Sequence, residues 1–329
     1  MGGPQERYVS VTGFRAERDG EGDSVAHPVF PNRQIESPEV EKYLTGVESG
    51  QKRIRSRASL PGPSLGNDRI MADMRMTRAE VDEFRALHRK EGRTAGGMFL
   101  LEGWRALAEA IDGPIDCVAV REDMLDRPEL EALRARGIPI REVNERDARR
   151  ISATEQSQGV VARVRVIWSD VTTLFRPGDA IVLALDAVGD PGNLGTILRT
   201  ASWFGVRGVL LGRGCVDPFN DKVVRSTAGS LFHVPMVGDI DLPIGLVSAR
   251  SAGCQVVVAD AAGAVDLPDW RPSRRCVLVL GSETHGPSPS VRAAVDLAVR
   301  VPRFGRGESL NVAIAAGILL AHMRMHSRS

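Results

Sequence analysis

An apolar run followed by turn-forming residues marks the middle of the chain. Residues 181–185 read Ile-Val-Leu-Ala-Leu, and Asp186 follows them directly. A short apolar run bounded by polar and turn residues is typical of a buried strand. A Pro-Gly pair at 191–192 then interrupts the pattern. Apolar residues recur at helical spacing after Asn193, so we predict a helix that Asn193 caps.

The alternation of strand patterns and helix patterns continues to the end of the chain. Each apolar run is short enough for a strand, and each stretch between two runs has helical spacing. Such alternation predicts an α/β domain with a mostly parallel sheet and helices on both faces. After the first pair, we predict strands at 209–211, 233–236, 255–259, 276–280 and 298–301, and helices at 221–230, 243–252 and 310–325.

The first half of the chain changes character several times. It opens with a stretch rich in Gly, Pro, Ser and charge that has no sustained period, which predicts disorder. A basic helical pattern follows, and then strands and helices alternate over a short distance. The pattern predicts a disordered extension over 1–66, a basic helical entry segment over 67–97, a small α/β sandwich domain over 98–166, a linker over 167–179 and the larger α/β domain over 180–329.

Composition narrows the function only slightly. Lys and Arg total 43 against 42 Asp and Glu, so any nucleic-acid surface must concentrate its cations locally. The four cysteines form no Cys-x-x-Cys pair, which favours free thiols in a reducing cytoplasm over a metal site. His322 and His326 are spaced like metal ligands but lack the intervening Glu of the His-Glu-x-x-His motif, so we predict no metal. No uncharged run approaches the length of a membrane span, so we predict no membrane partner.

Polar side chains crowd the end of the predicted strand at residue 185. Asp186, Asp190, Asn193 and Arg199 follow it, at the edge where open α/β sheets place their ligands. Glycines spaced three residues apart in this stretch suggest a phosphate loop as an alternative. That alternative is weak, because the chain has no Gly-x-Gly-x-x-Gly pattern here and no acid after the next strand.

Three separate segments carry a more specific pattern. Residues 186–205 read Asp-x-x-x-Asp-Pro-x-Asn-x-Gly-x-x-x-Arg-Thr-Ala-x-x-Phe-Gly, residues 278–286 contain Gly-x-Glu-x-x-Gly, and residues 301–313 contain Ser-Leu-Asn-Val. In this order the segments resemble the SpoU family of the SPOUT superfamily, whose members methylate ribose 2′-hydroxyls of RNA. The chain departs from the family pattern at Pro287, where family members usually have Leu or Met, and at Val301 and Ala313.

The resemblance implies a fold, a cofactor and partners. It implies a SPOUT-type, mostly parallel sheet with a C-terminal trefoil knot, S-adenosylmethionine as cofactor, and a homodimer. The small domain resembles the ribosomal-protein-like substrate-binding domain that precedes many SpoU catalytic domains, with Glu102-Gly103 and Gly159-Val160 fitting best. The implied substrate is a structured RNA, ribosomal RNA first and transfer RNA as the alternative. A non-catalytic RNA-binding scaffold of the same fold is the alternative of another class.

The resemblance also assigns residues to roles. Arg199 is the residue that the family nominates for activating the hydroxyl. A guanidinium is a poor base, so deprotonation by Arg199 and electrostatic anchoring by Arg199 both stay open. The implied catalytic residues are Arg199, Asn193, Glu283 and Asn311; the implied cofactor-binding residues are Gly281, Val301, Leu310, Leu280 and Ser309; and the candidate RNA-binding residues are Arg225, Ser226, Arg89 and Lys90.

Overall fold

The computed structural model describes residues 14–18, 24–28 and 74–326, which fall into two compact units, 1–51 and 52–329. In the first unit, strands Phe14–Arg18 (β1) and Ser24–Pro28 (β2) pair antiparallel. These two strands lie within the segment predicted to be disordered. The rest of that segment lies outside the described residues, so the prediction of disorder stays a prediction there.

The second unit begins with a small domain built on a four-stranded sheet. Its strands are Met98–Glu102 (β3), Ile115–Arg121 (β4), Ile140–Val143 (β5) and Val160–Arg165 (β6). The strand order is β3-β6-β4-β5, in which β6 runs antiparallel to both of its neighbours and β4 pairs parallel with β5. The helices of this domain are Arg78–Ala86 (α1), Lys90–Gly96 (α2), Trp104–Glu109 (α3), Glu129–Ala135 (α4) and Glu145–Ile151 (α5).

Within the basic helical segment predicted over 67–97, the described residues form two helices, α1 and α2. Residues 67–73 lie outside the described range, and α1 starts at Arg78 because Thr77 forms a capping box with Glu80. Val81 and Phe84 of this helix pack into a core shared with the small sheet. We therefore propose that α1 belongs to the small domain and is not a separate entry segment.

The larger domain contains a seven-stranded sheet in which every pair is parallel. Its strands are Ala180–Asp186 (β7), Gly208–Gly212 (β8), Met236–Ile240 (β9), Gln255–Ala259 (β10), Val265–Asp266 (β11), Arg275–Gly281 (β12) and Leu297–Arg300 (β13). The strand order is β11-β13-β10-β12-β7-β8-β9. The helices of this domain are Val171–Leu174 (α6), Pro191–Trp203 (α7), Asp221–Thr227 (α8), Leu242–Ser251 (α9), Pro289–Arg292 (α10) and Val312–His326 (α11).

Helices cover both faces of this sheet, as the sequence predicted. Along β7, Leu183 and Leu185 point into one core with α7, α8 and α11, whereas Val182 and Ala184 point into the other core with α6, α9 and α10. A strand that is apolar at every position is thereby buried on both sides. Within the part of the chain that the structure describes, no helix combines the length and the apolar character needed to span a bilayer.

Some predicted elements are displaced in the structure, and some elements of the structure were not predicted. The strand predicted at 233–236 lies at Met236–Ile240, because residues 230–233 form a 3-10 turn. The helix α5 and the short elements α6, α10 and β11 were not predicted. Asn193 was predicted as the cap of α7, and this is wrong: the cap is Asp190, whose carboxylate accepts a hydrogen bond from the Asn193 N–H.

The small and large domains share one hydrophobic core. Phe99 of β3 packs against Phe219 and Phe232 of the larger domain, with ring centroids 5.0 and 6.2 Å apart. The buried cluster runs without a break from the small sheet to α7 and α8. The two domains therefore meet through packed aromatic rings and not only through the linker, and α6 lies within that linker.

Candidate functional site

The carboxyl ends of the parallel strands bring the three sequence motifs to one edge of the larger sheet. Strand β7 ends at Asp186 and its neighbour β12 ends at Gly281, with Asp186 and Gly281 paired in register. Strand β13 lies two positions from β12 in the sheet, and the third motif follows the end of β13. Because all of these strands are parallel, their following loops lie on the same side of the sheet.

The loop after β7 is held in a strained conformation. Ala187 has φ 56°, a left-handed conformation that is uncommon for residues other than glycine. Asp186, immediately before it, accepts a hydrogen bond of 2.7 Å from the Ser288 N–H of the second motif's loop. Asp190 then caps α7 through its bond to the Asn193 N–H, 2.8 Å long. These bonds fix the start of α7 beside the second motif.

A chain of hydrogen bonds joins one side chain from each of the three motifs. The Asn193 Nδ2 group donates to Glu283 Oε1 at 2.9 Å. Asn311 Nδ2 in turn donates to Asn193 Oδ1 at 2.8 Å. The central amide is therefore fixed in orientation, with its NH2 group towards the carboxylate and its oxygen towards Asn311. Residues 90 and 118 positions away from Asn193 thus form one polar cluster with it, which we call the Glu-Asn-Asn chain.

Glu283 is held in its ionised form at the end of this chain. Partial burial of the carboxyl raises its pKa, but the hydrogen bonds from the Asn193 side chain and from the Gly189 and Asp190 N–H groups lower it by more. The net result is a pKa below the ordinary value for glutamate. The two backbone groups lie 3.4 Å from the carboxylate oxygens. The carboxylate therefore carries its charge at neutral pH.

Asn311 has a second contact that orients the C-terminal helix. Its Oδ1 atom accepts hydrogen bonds from the N–H groups of Ala313 and Ile314, at 2.9 and 3.3 Å, at the start of α11. At the other end of this helix, the Arg324 guanidinium donates to the carbonyl oxygens of Phe204 and Gly205, just beyond α7. Helices α7 and α11 therefore lie side by side and run in the same direction.

Arg199 does not join the Glu-Asn-Asn chain. It lies on the same helix as Asn193, six residues further on, so its Cα is displaced by about 9 Å along the helix axis. The side chain is exposed, and among the described residues no hydrogen bond or ion pair involves its guanidinium. One turn later, Trp203 is 85% exposed. Arg199 is thus a free cation beside the cluster, available to an external group.

The predicted cofactor residues differ in accessibility. A Cβ atom at Gly281 would lie 2.1 Å from the Pro287 nitrogen, so the glycine is required by its own loop, which folds back over it. Leu280 is buried in the core, so only its backbone can reach a ligand. Val301 is partly buried, whereas Ser309 and Leu310 are exposed, Leu310 to 51%. An apolar side chain left this open at the edge is suited to cover a flat apolar ligand.

The predicted RNA-binding residues lie along the junction between the two domains. Arg225 and Ser226 lie on α8, and a Cβ atom at Gly195 of α7 would lie 2.4 Å from Ser226 Cβ. Arg89 and Lys90 are exposed at the start of α2. They follow His88, which lines a small cavity together with Arg225. Arg225 therefore lies in the wall of this cavity, and Arg89 and Lys90 directly follow another residue of that wall along the chain.

The structure shows no metal-binding cluster in the residues that it describes. The rings of His322 and His326 lie with their centroids 4.1 Å apart at a tilt of 32°, and the His322 Nε2 atom is paired with the Trp270 carbonyl at 2.9 Å. Burial lowers the pKa of His322 below its ordinary value. The four cysteines are free, and burial raises the pKa of Cys215 to about 11.

Comparison with known proteins decides the family. Residues 180–321 match the model of the SpoU rRNA Methylase family, and residues 78–162 match the MRM3-like substrate binding domain. A Bacillus subtilis protein named 23S rRNA (guanosine(2553)-2′-O)-methyltransferase RlmP is 33% identical over 247 residues, 74% of this chain and 96% of that protein. The chain belongs to the SpoU family. This result confirms the family and the RNA methyltransferase class predicted from the three motifs.

Solved structures agree with this assignment. The AdoMet-bound rRNA methyltransferase from Sinorhizobium meliloti superimposes on this SpoU protein with a TM-score of 0.68 and 33% identity, covering 76% of this chain and 96% of that one. The SpoU methyltransferase AviRb from Streptomyces viridochromogenes, also in complex with AdoMet, gives a TM-score of 0.69 and 26% identity, covering 77% and 99%. The predicted fold class is thereby confirmed.

Some residues of the site had no role in the sequence-based prediction. Asp190 was noticed near the strand end but was not recognised as the helix cap. Asp217 and Asp221, which pair with Arg93 and His88 across the domain junction, had no assigned role. Their partners are more than a hundred residues away, so only a resemblance that covers both domains could have indicated them. Both aspartates lie between the first and the second SpoU motif and belong to neither.

Proposed function

We propose that this protein transfers a methyl group from S-adenosylmethionine to a ribose 2′-hydroxyl of ribosomal RNA. The observation that carries the proposal is the Glu-Asn-Asn chain, which unites the three SpoU motifs at the carboxyl edge of the sheet. The substrate follows from the family and from the relative named as a 23S rRNA methyltransferase. Transfer RNA stays the alternative substrate.

The exposed residues of the third motif fit an adenosine group. Leu310 leaves half of its side chain uncovered, and Ser309 beside it offers a hydroxyl. We infer that Leu310 and Val301 cover the adenine, while the loop after Gly281 offers backbone groups for hydrogen bonds. S-adenosylmethionine supplies an electrophilic methyl group on a sulfonium. Two related proteins of the same fold contain this cofactor.

The Glu-Asn-Asn chain orients the ribose in this proposal. Asn193 uses one of its two N–H groups on Glu283, so the other remains for a ligand. Holding a hydroxyl in line with the methyl group can supply roughly 7–11 kcal/mol in well-aligned cases. Glu283 is ionised, so its carboxylate can accept the proton that leaves the 2′-hydroxyl as the methyl group passes from the sulfonium to the oxygen. The three side chains act together because each fixes the orientation of the next.

Arg199 serves as an electrostatic anchor in this proposal. The guanidinium is exposed and free of partners in the described part of the chain, so it is available to bind an anionic group. A base would need a lone pair, which the charged guanidinium lacks. A cation beside the reacting ribose can bind its phosphate and stabilise negative charge on the 2′-oxygen as the proton leaves. We therefore favour the anchor over the base.

The exposed apolar residues support a homodimer. Ile314, Ile318 and Met325 are exposed and spaced on one stripe of α11, with Trp203 of the adjacent α7 beside them. Isolated apolar residues are common on surfaces, but a contiguous group of large ones marks an interface. The stripe starts beside Leu310, which we assign to the cofactor. A second copy packed on this face would thus cover an edge of the cofactor site.

Two further proposals follow from family membership. We propose that the C-terminal segment is threaded as a trefoil knot; the bond between Asn311 and Asn193 supports this by holding the start of α11 among the other two motifs. We also propose that the protein acts in the cytoplasm, where its free cysteines would stay reduced.

Methyl transfer and cofactor binding test the proposal separately. Purified protein is incubated with tritiated S-adenosylmethionine and either transcribed 23S rRNA or total transfer RNA, and calorimetry measures cofactor affinity. We expect label in 23S rRNA at one ribose, mapped by resistance of the 2′-O-methylated position to alkaline cleavage. Arg199→Ala should bind the cofactor normally and lose transfer by about a hundredfold or more. No cofactor binding at millimolar concentration would leave only the scaffold alternative.

A further inference from the structure

A cleft lies between the small domain and the methyltransferase domain. It encloses about 290 Å³ and is bordered by α3 on one side and by the end of α8 on the other. Small apolar side chains, Ala106 and Ala228, form part of its wall, and the amide side chains of Gln156 and Gln158 stand at its rim. Ligand pockets begin at roughly 300 Å³, so the volume suits one nucleotide.

The charged side chains of this cleft that lack a partner among the described residues are positive. Arg105 and Arg225 both line it and are exposed, and neither guanidinium has a hydrogen-bond or ion-pair partner in the described residues. Glu102 also lines the cleft, but its carboxylate already accepts hydrogen bonds from the Ser152 hydroxyl, the Thr154 hydroxyl and a backbone N–H. Two unpaired guanidinium groups are typical of a site for phosphate, which they can bind in a bidentate manner.

The walls of the cleft are held at a fixed separation. The Arg93 guanidinium is 5% exposed and donates two hydrogen bonds, of 2.7 and 2.9 Å, to Asp217 on the other domain. Nearby, His88 Nδ1 lies 2.6 Å from the Asp221 carboxylate at the start of α8. Together with the packed aromatic rings, these pairs make the junction rigid. The cleft is therefore preformed and needs no domain closure.

Helix α8 connects the cleft to the methyl-transfer site. Arg225 faces the cleft, and the next residue, Ser226, packs against Gly195 of α7. Gly195 lies between Asn193 and Arg199, and Arg199 is only about 6 Å further along the helix axis. An RNA strand that reaches Arg199 can therefore continue over α8 into the cleft.

We propose that this cleft binds an unpaired nucleotide of the substrate RNA, close in the strand to the methylated ribose. The base enters against Ala106 and Ala228, and Arg105 and Arg225 bind the adjoining phosphates. The Gln158 Oε1 atom already accepts a hydrogen bond from the Trp104 N–H, so the edge of the base is read by the Gln156 amide and by the NH2 group of Gln158. Single-stranded bases are recognised in this way, by contact with their faces and hydrogen bonds to their edges. The inference rests on the proposed function, and it adds a second contact at a fixed distance from the reaction.

Binding of a short RNA tests the inference directly. The probe is a fluorescein-labelled single strand of about twelve nucleotides, alone or annealed to its complement, measured by anisotropy at constant salt. We expect the single strand to bind more tightly than the duplex. Arg105→Ala and Arg225→Ala should each weaken single-strand binding about tenfold, because each removes charge-assisted hydrogen bonds to phosphate. Arg274→Ala is the matched control, an exposed arginine at the opposite edge of the sheet.

A second variant tests entry of the base apart from charge. Ala106→Trp fills the cleft and keeps both arginines, so single-strand binding should weaken while duplex binding is unchanged; its thermal midpoint shows whether it folds. If Arg225→Ala binds the single strand as tightly as wild type does, the inference is overturned, whatever Ala106→Trp does. Cofactor calorimetry on the same preparations keeps the two proposals apart. Normal cofactor binding and methyl transfer with an unchanged KM for RNA in Arg225→Ala would refute the cleft alone.

Discussion

Replacement of Asn311 by aspartate separates two roles of one side chain. The Oδ1 atom accepts the hydrogen bonds from the Ala313 and Ile314 N–H groups that cap α11, and the Nδ2 group donates to Asn193. Aspartate keeps the acceptor and is as good a helix cap as asparagine. It cannot donate, and it places a carboxylate oxygen against the Asn193 oxygen. Alanine at this position removes both roles.

The magnitudes follow from these contacts. Loss of an N-cap costs typically about 1 kcal/mol, so Asn311→Ala should lower the thermal midpoint by roughly 2–4 °C. Asn311→Asp should keep a midpoint close to that of wild type. Loss of one neutral hydrogen bond is worth about 1 kcal/mol, or about fivefold in rate, and the freed Asn193 amide loses its fixed orientation. We therefore expect the single-turnover rate of methyl transfer to fall at least about fivefold in both variants.

The assay pairs thermal unfolding with single-turnover methyl transfer at saturating RNA and cofactor. The expected pattern is a stable but slow Asn311→Asp and a less stable, equally slow Asn311→Ala. A wild-type rate for Asn311→Asp would refute the role of the Glu-Asn-Asn chain in the reaction. A midpoint for Asn311→Asp as low as that of Asn311→Ala would refute the capping argument.

Three further predictions concern assembly, pH and packing. Ile318→Asp places a charge on the exposed stripe of α11 and should halve the mass measured by light scattering; an unchanged mass would contradict the proposed dimer face. The hydrogen bond from His88 to the carboxylate on α8 raises the pKa of His88 above its ordinary 6.5. The stability that this hydrogen bond contributes is therefore fully present below pH 6.5 and is lost as pH rises through the raised pKa of His88. Thermal midpoints measured between pH 5.5 and 8.5 should show this loss in the wild type and not in His88→Gln. Gly195→Ala brings a Cβ to 2.4 Å from Ser226 Cβ and should cost about 1–3 kcal/mol in denaturant unfolding, whereas Gly305→Ala, with open space around it, should cost little; equal costs would refute the steric reasoning.

Local pattern predicted most of the larger domain. The run at 181–185 is apolar at every position because β7 is buried on both faces, and such a run can be recognised without knowledge of its neighbours. The prediction was poorer where capping decides a boundary. Asp190 and Asn193 are both good cap residues three positions apart, and the sequence could not tell which one begins α7. In the structure Asp190 is the cap, because Pro191 then takes the first helical position, which suits proline.

The motifs predicted which residues belong to the site but not how they meet. Asn193, Glu283 and Asn311 were assigned together by resemblance, and the structure joins them by direct hydrogen bonds. Arg199 was assigned with them, yet it stands apart with an exposed side chain. Gly281 was assigned to the cofactor, and the structure shows that its missing side chain makes room for the loop that folds back over it. Spacing along the chain could not distinguish these cases.

The sequence by itself determined most elements of the larger domain, their order along the chain, and the family, because these depend on periodicity and on motifs read along the chain. The tertiary structure alone decided the contacts between residues far apart: the Glu-Asn-Asn chain, the parallel pairing of α7 with α11, and the junction held by Arg93 and His88. The physical reason is that these contacts need the parallel sheet and the shared core to be assembled first. Before that assembly, the local pattern of one segment does not indicate which atoms of the other segment it will contact.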